Sequence, residues 1–239
     1  MSFIDTIAAT CTVDRAIPDS VFTGGASSAE FASGRVASKL FRNQTGDVYE
    51  PRTTWWPNTR TLRIEFSVPK LLGLRPDANV TVRDVDLAFA RVDLWLSATF
   101  GEGLPAFEDW RCTRIDYAYN QGVDDIEAYL AAISQARVGS MLRHPFGGDG
   151  VVFKQSSRWV KWYDKSKEAE LPELRVLRFE VSNFRDAVRY MAERWFACER
   201  RVGELVQPGR ALYVLAKYWT AAGLHQAAFA SDERETVRL

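Results

Sequence analysis

Three short segments of this chain carry one pattern, Arg-apolar-acid-apolar: Arg63-Ile64-Glu65-Phe66, Arg114-Ile115-Asp116-Tyr117 and Arg178-Phe179-Glu180-Val181. Each reads as a β-strand of alternating polarity, with Arg and acid on one face and the apolar pair on the other. If the three strands share a sheet, Glu65, Asp116 and Glu180 converge on one surface. Oxygen ligands of that kind suit a hard divalent cation, and no His or Cys is needed. The same pattern also fits ordinary cross-strand ion pairs on a solvated face. The arginines have two further uses there: binding a phosphate, or holding the carboxylates in place.

A fourth segment, Val160-Lys161-Trp162-Tyr163-Asp164-Lys165, alternates as well and lines up Lys161, Tyr163 and Lys165. A free phenol has a pKa near ~10 and needs help to attack. The two lysines would lower that pKa and balance charge on a phosphorane, while a metal would polarise the phosphate. A tyrosyl phosphodiester conserves the bond energy, so a cut strand can be rejoined without ATP. Otherwise Tyr163 is a half-buried packing residue. The basic stretch Lys154, Arg158, Lys161, Lys165, Lys167 is interleaved with Phe153, Trp159 and Trp162. Bases of a single strand stack on aromatics while cations follow its phosphates. The alternative is a solvated hairpin with a core-facing Trp.

The chain has 239 residues, 46% hydrophobic and 26% charged, so length and composition allow a sizeable core in one domain over 1–239. Residues 1–60 would extend the sheet, and 208–239 would form a terminal helix and tail. Formal net charge is zero, which excludes a general polyanion coat and leaves any nucleic-acid site to a local patch. The three cysteines, Cys11, Cys112 and Cys198, are far apart and fit reduced thiols. His144 and His225 form no His-x-His pair, which excludes the histidine metal site of many nicking enzymes. No P-loop, G-x-G-x-x-G or G-x-S-x-G occurs. No apolar run approaches the ~18 residues of a membrane span, and the opening residues lack the basic start of a signal peptide. The expected location is the cytoplasm, with no membrane partner.

The elements that must position these groups follow from periodicity. Strands are expected at 3–13, 61–68, 111–119, 151–155, 158–164 and 175–182. Trp55-Trp56-Pro57-Asn58 marks a turn, and 18–48 reads as loops and short strands. Helices are expected at about 84–99, 124–137, 184–206 and 210–228. The third rests on an apolar stripe from Phe184 to Leu205, with Asn183 as N-cap. The fold class is therefore α+β: a central, mainly antiparallel sheet built from repeated strand-helix units, helices packed on one face, and the open face carrying the chemistry.

In order and spacing, the chain resembles the rolling-circle replication initiators of the filamentous-phage gene II group and small plasmids. The resemblance runs over roughly residues 60–195, through Leu62-Arg63-Ile64-Glu65-Phe66-Ser67-Val68-Pro69-Lys70, Thr113-Arg114-Ile115-Asp116, Trp162-Tyr163-Asp164-Lys165 and Leu177-Arg178-Phe179-Glu180. It implies a nickase that links to a 5′ DNA end through tyrosine, here Tyr163, with Lys165 as its motif lysine. Asp116 and Glu180 are implied as ligands of Mg²⁺ or Mn²⁺ or as their support. Glu65 joins them by the face argument alone, and Lys161 assists Tyr163. Arg114, Arg178, Lys154, Arg158 and Trp159 are expected to contact DNA. The implied partners are single-stranded DNA at a replication origin, a host helicase and a second copy of the chain. Two other readings stay open: a single-strand-binding module without catalysis, and a metal nuclease that activates water.

Overall fold

The alternating segments become strands of one antiparallel sheet. The computed structural model describes residues 2–15, 17, 21, 27–30, 36–41, 49–147 and 149–224. In chain order the strands are β1 (Ile4–Thr12), β2 (Ser27–Glu30), β3 (Val36–Phe41), β4 (Arg52–Trp56), β5 (Thr61–Ser67), β6 (Arg111–Gly122), β7 (Leu142–Pro145), β8 (Gly150–Gln155), β9 (Arg158–Asp164) and β10 (Val176–Phe184). The helices are α1 (Val68–Leu72), α2 (Val82–Phe100), α3 (Ile126–Ser134), α4 (Lys165–Glu168), α5 (Arg185–Tyr190), α6 (Val202–Leu205) and α7 (Pro208–Ala221). Across the sheet the order is β2-β3-β4-β5-β1-β6-β10-β9-β8-β7. All neighbouring pairs run antiparallel. The three Arg-x-acid strands are β5, β6 and β10. β6 and β10 are direct neighbours, and β1 separates β5 from β6.

One face of the sheet is apolar. Ile64, Phe66, Ile115, Tyr117, Phe179, Val181 and Trp162 are buried there with the inner side of α2: Val85, Ala88, Val92, Leu96 and Phe100. Thr81 and Asp84 start α2 with a reciprocal capping box. Trp162 stacks on Phe179 with ring centroids 4.6 Å apart, and Trp219 of α7 meets Phe179 edge-on at 5.3 Å. Aromatic side chains of this size dominate core energetics, so this stack ties α7 to the middle of the sheet. The expected α+β architecture is what the chain adopts, with its polar face left open.

Two register shifts on β1 and β6 shape that open face. Ile4 pairs with Tyr117 but Thr6 with Asp116, so Asp5 is an extra residue on β1. Ala8 pairs with Arg114 but Ala9 with Cys112, so Thr113 is extra on β6. Such bulges re-aim side chains that strict alternation would put elsewhere.

The expected helix over 184–206 is not continuous. α5 passes into one π-helical turn at Met191–Phe196, which Ala197 ends in the left-handed region at φ 47°. Residues 198–201 then run beside β6, where Cys112 N–H donates to Arg200 O and Val202 N–H to Trp110 O. Backbone pairing with the sheet outweighs the apolar stripe that suggested one long helix. Asn183 does not cap that helix. It stays in β10, fully buried, and its amide donates to Ile115 O and Val181 O. Trp55 and Trp56 lie in β4, with the turn after them at Pro57–Thr59. The terminal helix ends at Ala221, and residues 225–228 lie outside the described ones, as does much of 18–48. Among the described residues, no helix is long and apolar enough to cross a membrane.

Candidate active site

β9 places Lys161 and Tyr163 on the open face, two residues apart. Across β10, Tyr163 faces Arg178 and Lys161 faces Glu180. On its other side Tyr163 faces Gly150 of β8. A Cβ at Gly150 would lie 2.7 Å from both Trp162 O and Tyr163 Cβ, so only glycine lets β8 approach here. From β6, Asp116 faces Ser182 of β10, and Arg114 faces Phe184. Glu65 on β5 and Arg114 on β6 both face Ala8 of the intervening β1. The small Ala8 side chain lets them meet. Arg114, Asp116, Lys161, Tyr163, Arg178 and Glu180 line a cleft of about 450 Å³, rimmed by the short helices α1 and α4 through Pro69, Lys70, Lys165 and Glu168.

The cleft holds a closed network of charge. Arg114 donates to Glu65 at 2.6 Å and forks onto Asp116 through Nε and a terminal nitrogen at 2.5 Å. Arg63 holds the other Glu65 oxygen at 2.5 Å. Lys161 donates to Glu180 Oε1 at 2.5 Å, and Ser182 donates to the same oxygen at 2.8 Å. The Tyr163 hydroxyl donates to Glu180 Oε2 at 3.2 Å. Arg178 pairs with Asp5 and stands 3.6 Å from Glu180 Oε2, beyond a hydrogen bond. Its Nε is buried with no acceptor. Arg178 lines the cleft, and a guanidinium suits an anionic oxygen.

Burial and mutual charge set the proton affinities. Asp116 is 1% exposed. Burial first, then the charge of Glu180, push its carboxyl up to about 7 against the pull of Arg114. Glu180 goes the opposite way: burial would raise it, but Lys161 and Arg178 outweigh that and hold it ionised. The pair thus titrates as a unit, with Glu180 carrying the charge and Asp116 the readier proton site. Tyr163 is 9% exposed, and desolvation raises its pKa despite the nearby Arg178. The expectation that Lys161 and Lys165 lower it is not met. Lys161 is committed to Glu180, and Lys165 lies beyond the end of β9, in α4, paired with Glu168 at 2.7 Å. Lys165 still lines the cleft.

The remaining expected residues divide. Trp159 and Lys154 share the open face, cross-strand from each other, with the Lys154 ammonium 4.7 Å from the indole centroid. Arg158 does not join them. It points to the other side, donating to Asn183 Oδ1 at 2.6 Å and to the Tyr218 hydroxyl at 2.7 Å, and is 6% exposed. Parity along β9 carried that signal, because Arg158 alternates with Val160 and Trp162. Asp5, Ser182 and Phe146 belong to the site without having been expected, while Arg63 holds Glu65 as its strand pattern allowed. Ser182 was legible, two residues from Glu180 on the same strand. Asp5 was not, because its bulge breaks the alternation.

The three acids lie on one face, but arginines stand between them. Among the described residues, no three His, Cys, Asp or Glu side chains are grouped as a ready metal cage. Glu65 is an ion-pair partner of Arg63 and Arg114. Of the three acids, Asp116 and Glu180 line the cleft, and carboxylate oxygens are the ligand type that suits a hard cation.

No protein-family model matches the chain, and no curated protein does. Among solved structures it is similar to the rolling circle replication initiator protein from Geobacillus stearothermophilus, with a TM-score of 0.44 and 12% sequence identity, over 92% of this chain and 84% of that one.

Proposed function

We propose that this chain is a rolling-circle replication initiator that nicks and rejoins single-stranded DNA through a tyrosyl phosphodiester at Tyr163. The observation that carries the reading is the placement of the Tyr163 hydroxyl on Glu180, beside Asp116 and the Arg178 guanidinium, in one open cleft. The motif order noted in the sequence supports it.

The scissile phosphate enters between Arg178 and Lys165, which both line the cleft and supply the cations that face it. Arg178 is fixed by Asp5, so little side-chain freedom is lost on binding. The Tyr163 oxygen forms a bond to phosphorus as the bond to the 3′-oxygen breaks. The phenolic proton passes to the Glu180–Asp116 pair, and the pair returns it to the departing 3′-oxygen, so no other proton source is needed. Rejoining reverses these steps. Asp116 and Glu180 would hold a divalent cation, which when bound supplies polarisation of the phosphate oxygens and compensates added negative charge. The phosphate adds one negative charge to a network whose four carboxylates (Asp5, Glu65, Asp116, Glu180) already match four cations (Arg63, Arg114, Arg178, Lys161).

The test is covalent capture. With Mn²⁺ and single-stranded oligonucleotides, the native chain forms a denaturation-resistant DNA adduct and Tyr163→Phe forms none. The burial of Tyr163 favours a second reading, in which it only packs and the site activates water. That enzyme would cut without an adduct, and Tyr163→Phe would cut equally well.

A further inference from the structure

Beyond the cleft, the open face continues over β9, β8 and β7. Trp159 stands there half-buried, with Phe184 edge-on at 5.2 Å between centroids. Lys154 sits over the Trp159 ring, and Arg114 lies 5.2 Å from the Phe184 centroid. The next residue in register is Leu142, 69% exposed. No acidic side chain occurs on β7 or β8. Arg114 and Lys161 are held by carboxylates of the cleft, and Lys154 has β7 and β8 beside it without an acid. A half-buried aromatic pair with that lysine has the composition of a surface that stacks nucleobases and follows phosphates.

Trp159 is four residues from Tyr163, about 14 Å along an antiparallel strand. That is the length of about four nucleotides of a stacked strand. Lys161 lies between them and is 5.9 Å from the Trp159 centroid.

We propose that Trp159 and Phe184 form a base-stacking subsite for unpaired DNA, continuous with the cleft. This rests on the reading above and deepens it by naming where the single strand is gripped by its bases, away from the scissile phosphate. A base on Trp159 takes the place of the Lys154 ammonium over the ring, and Lys154 turns to a phosphate.

The experiment is fluorescence anisotropy at low salt, without divalent cation. The probes are labelled dT12, an abasic 12-mer with the same phosphates, and a 12-base-pair duplex. In the native chain dT12 binds about tenfold more tightly than the abasic strand, the scale of one stacked base. Trp159→Leu keeps an apolar side chain but no π-face; it brings dT12 down to the abasic value and leaves the abasic affinity unchanged. Phe184→Leu gives a partial loss. Circular dichroism and thermal melts establish that both variants are folded. Equal affinity of the native chain for the two single strands, tighter binding of the duplex, no binding of dT12, or an unchanged preference in folded Trp159→Leu overturns the proposal. Tyr163→Phe keeps the preference for dT12, so loss of the covalent reading and loss of the stacking reading are told apart.

Discussion

Gly150→Ala tests how Tyr163 is positioned. The added methyl would lie 2.7 Å from Trp162 O and 2.7 Å from Tyr163 Cβ. One of these is backbone, and the other is fixed to the backbone of a central strand, so neither can swing away. The strands must part or Tyr163 must move. Overpacking of this kind costs about 1–3 kcal/mol. For a chain of this length that corresponds to a fall in melting temperature of about 2–12 °C. A control lies in α7, where a Cβ on Gly209 meets nothing within 4 Å and no left-handed backbone is involved. Gly209→Ala should stabilise by about 0.5–1 kcal/mol, because glycine loses more chain entropy in a helix. The assay is thermal unfolding of the three proteins, followed by the rate of DNA-adduct formation well below each melting point. Gly150→Ala should melt lower than the native chain, Gly209→Ala higher, and only Gly150→Ala should lose adduct rate. If Gly150→Ala melts and reacts like the native chain, the argument that β8 and β9 pin Tyr163 through that close approach fails.

Arg158→Met should lower stability by about 2–4 kcal/mol, because it strands Asn183 Oδ1 in the core; its single-strand affinity should stay within about twofold of native, and a large loss would return Arg158 to the DNA-binding surface. The thiols of Cys11 and Cys112 are pushed up to about 12 by burial. Because the folded state holds those protons more tightly, they add stability that is full below the unfolded pKa of about 9 and is lost as pH rises towards 12. At pH 8.5 both should react with a thiol reagent at least about a hundredfold more slowly folded than unfolded, and fast labelling of either would contradict their placement. Asp5→Asn should leave the fold intact and slow adduct formation about tenfold or more, by loosening Arg178; an unchanged rate would remove Asp5 from the site.

Parity carried most of the site. Arg63 and Glu65, Arg114 and Asp116, Arg178 and Glu180, and Lys161 and Tyr163 share a face because a strand repeats every two residues. The same rule would have turned Arg158 inward, since it steps with Val160 and Trp162. What alternation could not supply came from irregular backbone and long-range pairing. Asp5 reaches Arg178 through a bulge that no local pattern marks. The break at Ala197 hides inside an apolar stripe because residues 198–201 run beside β6, a contact between positions nearly 90 apart in the chain. The charge pairing was also hidden. Three acids and three arginines are visible in the strand pattern, but only the register puts Arg114 between Glu65 and Asp116 and leaves Asp116 and Glu180 in one cleft.

The central claim is that the Tyr163 hydroxyl is the nucleophile in that cleft. Oligonucleotides tiled across the DNA element that encodes this chain, labelled at the 3′ end, would be incubated with native protein and Tyr163→Phe, with Mn²⁺ or EDTA, and run on a denaturing gel. The account predicts a protein-linked band that requires Mn²⁺ and is absent for Tyr163→Phe. A Mn²⁺-dependent cut with no linked band, made equally by Tyr163→Phe, would contradict it.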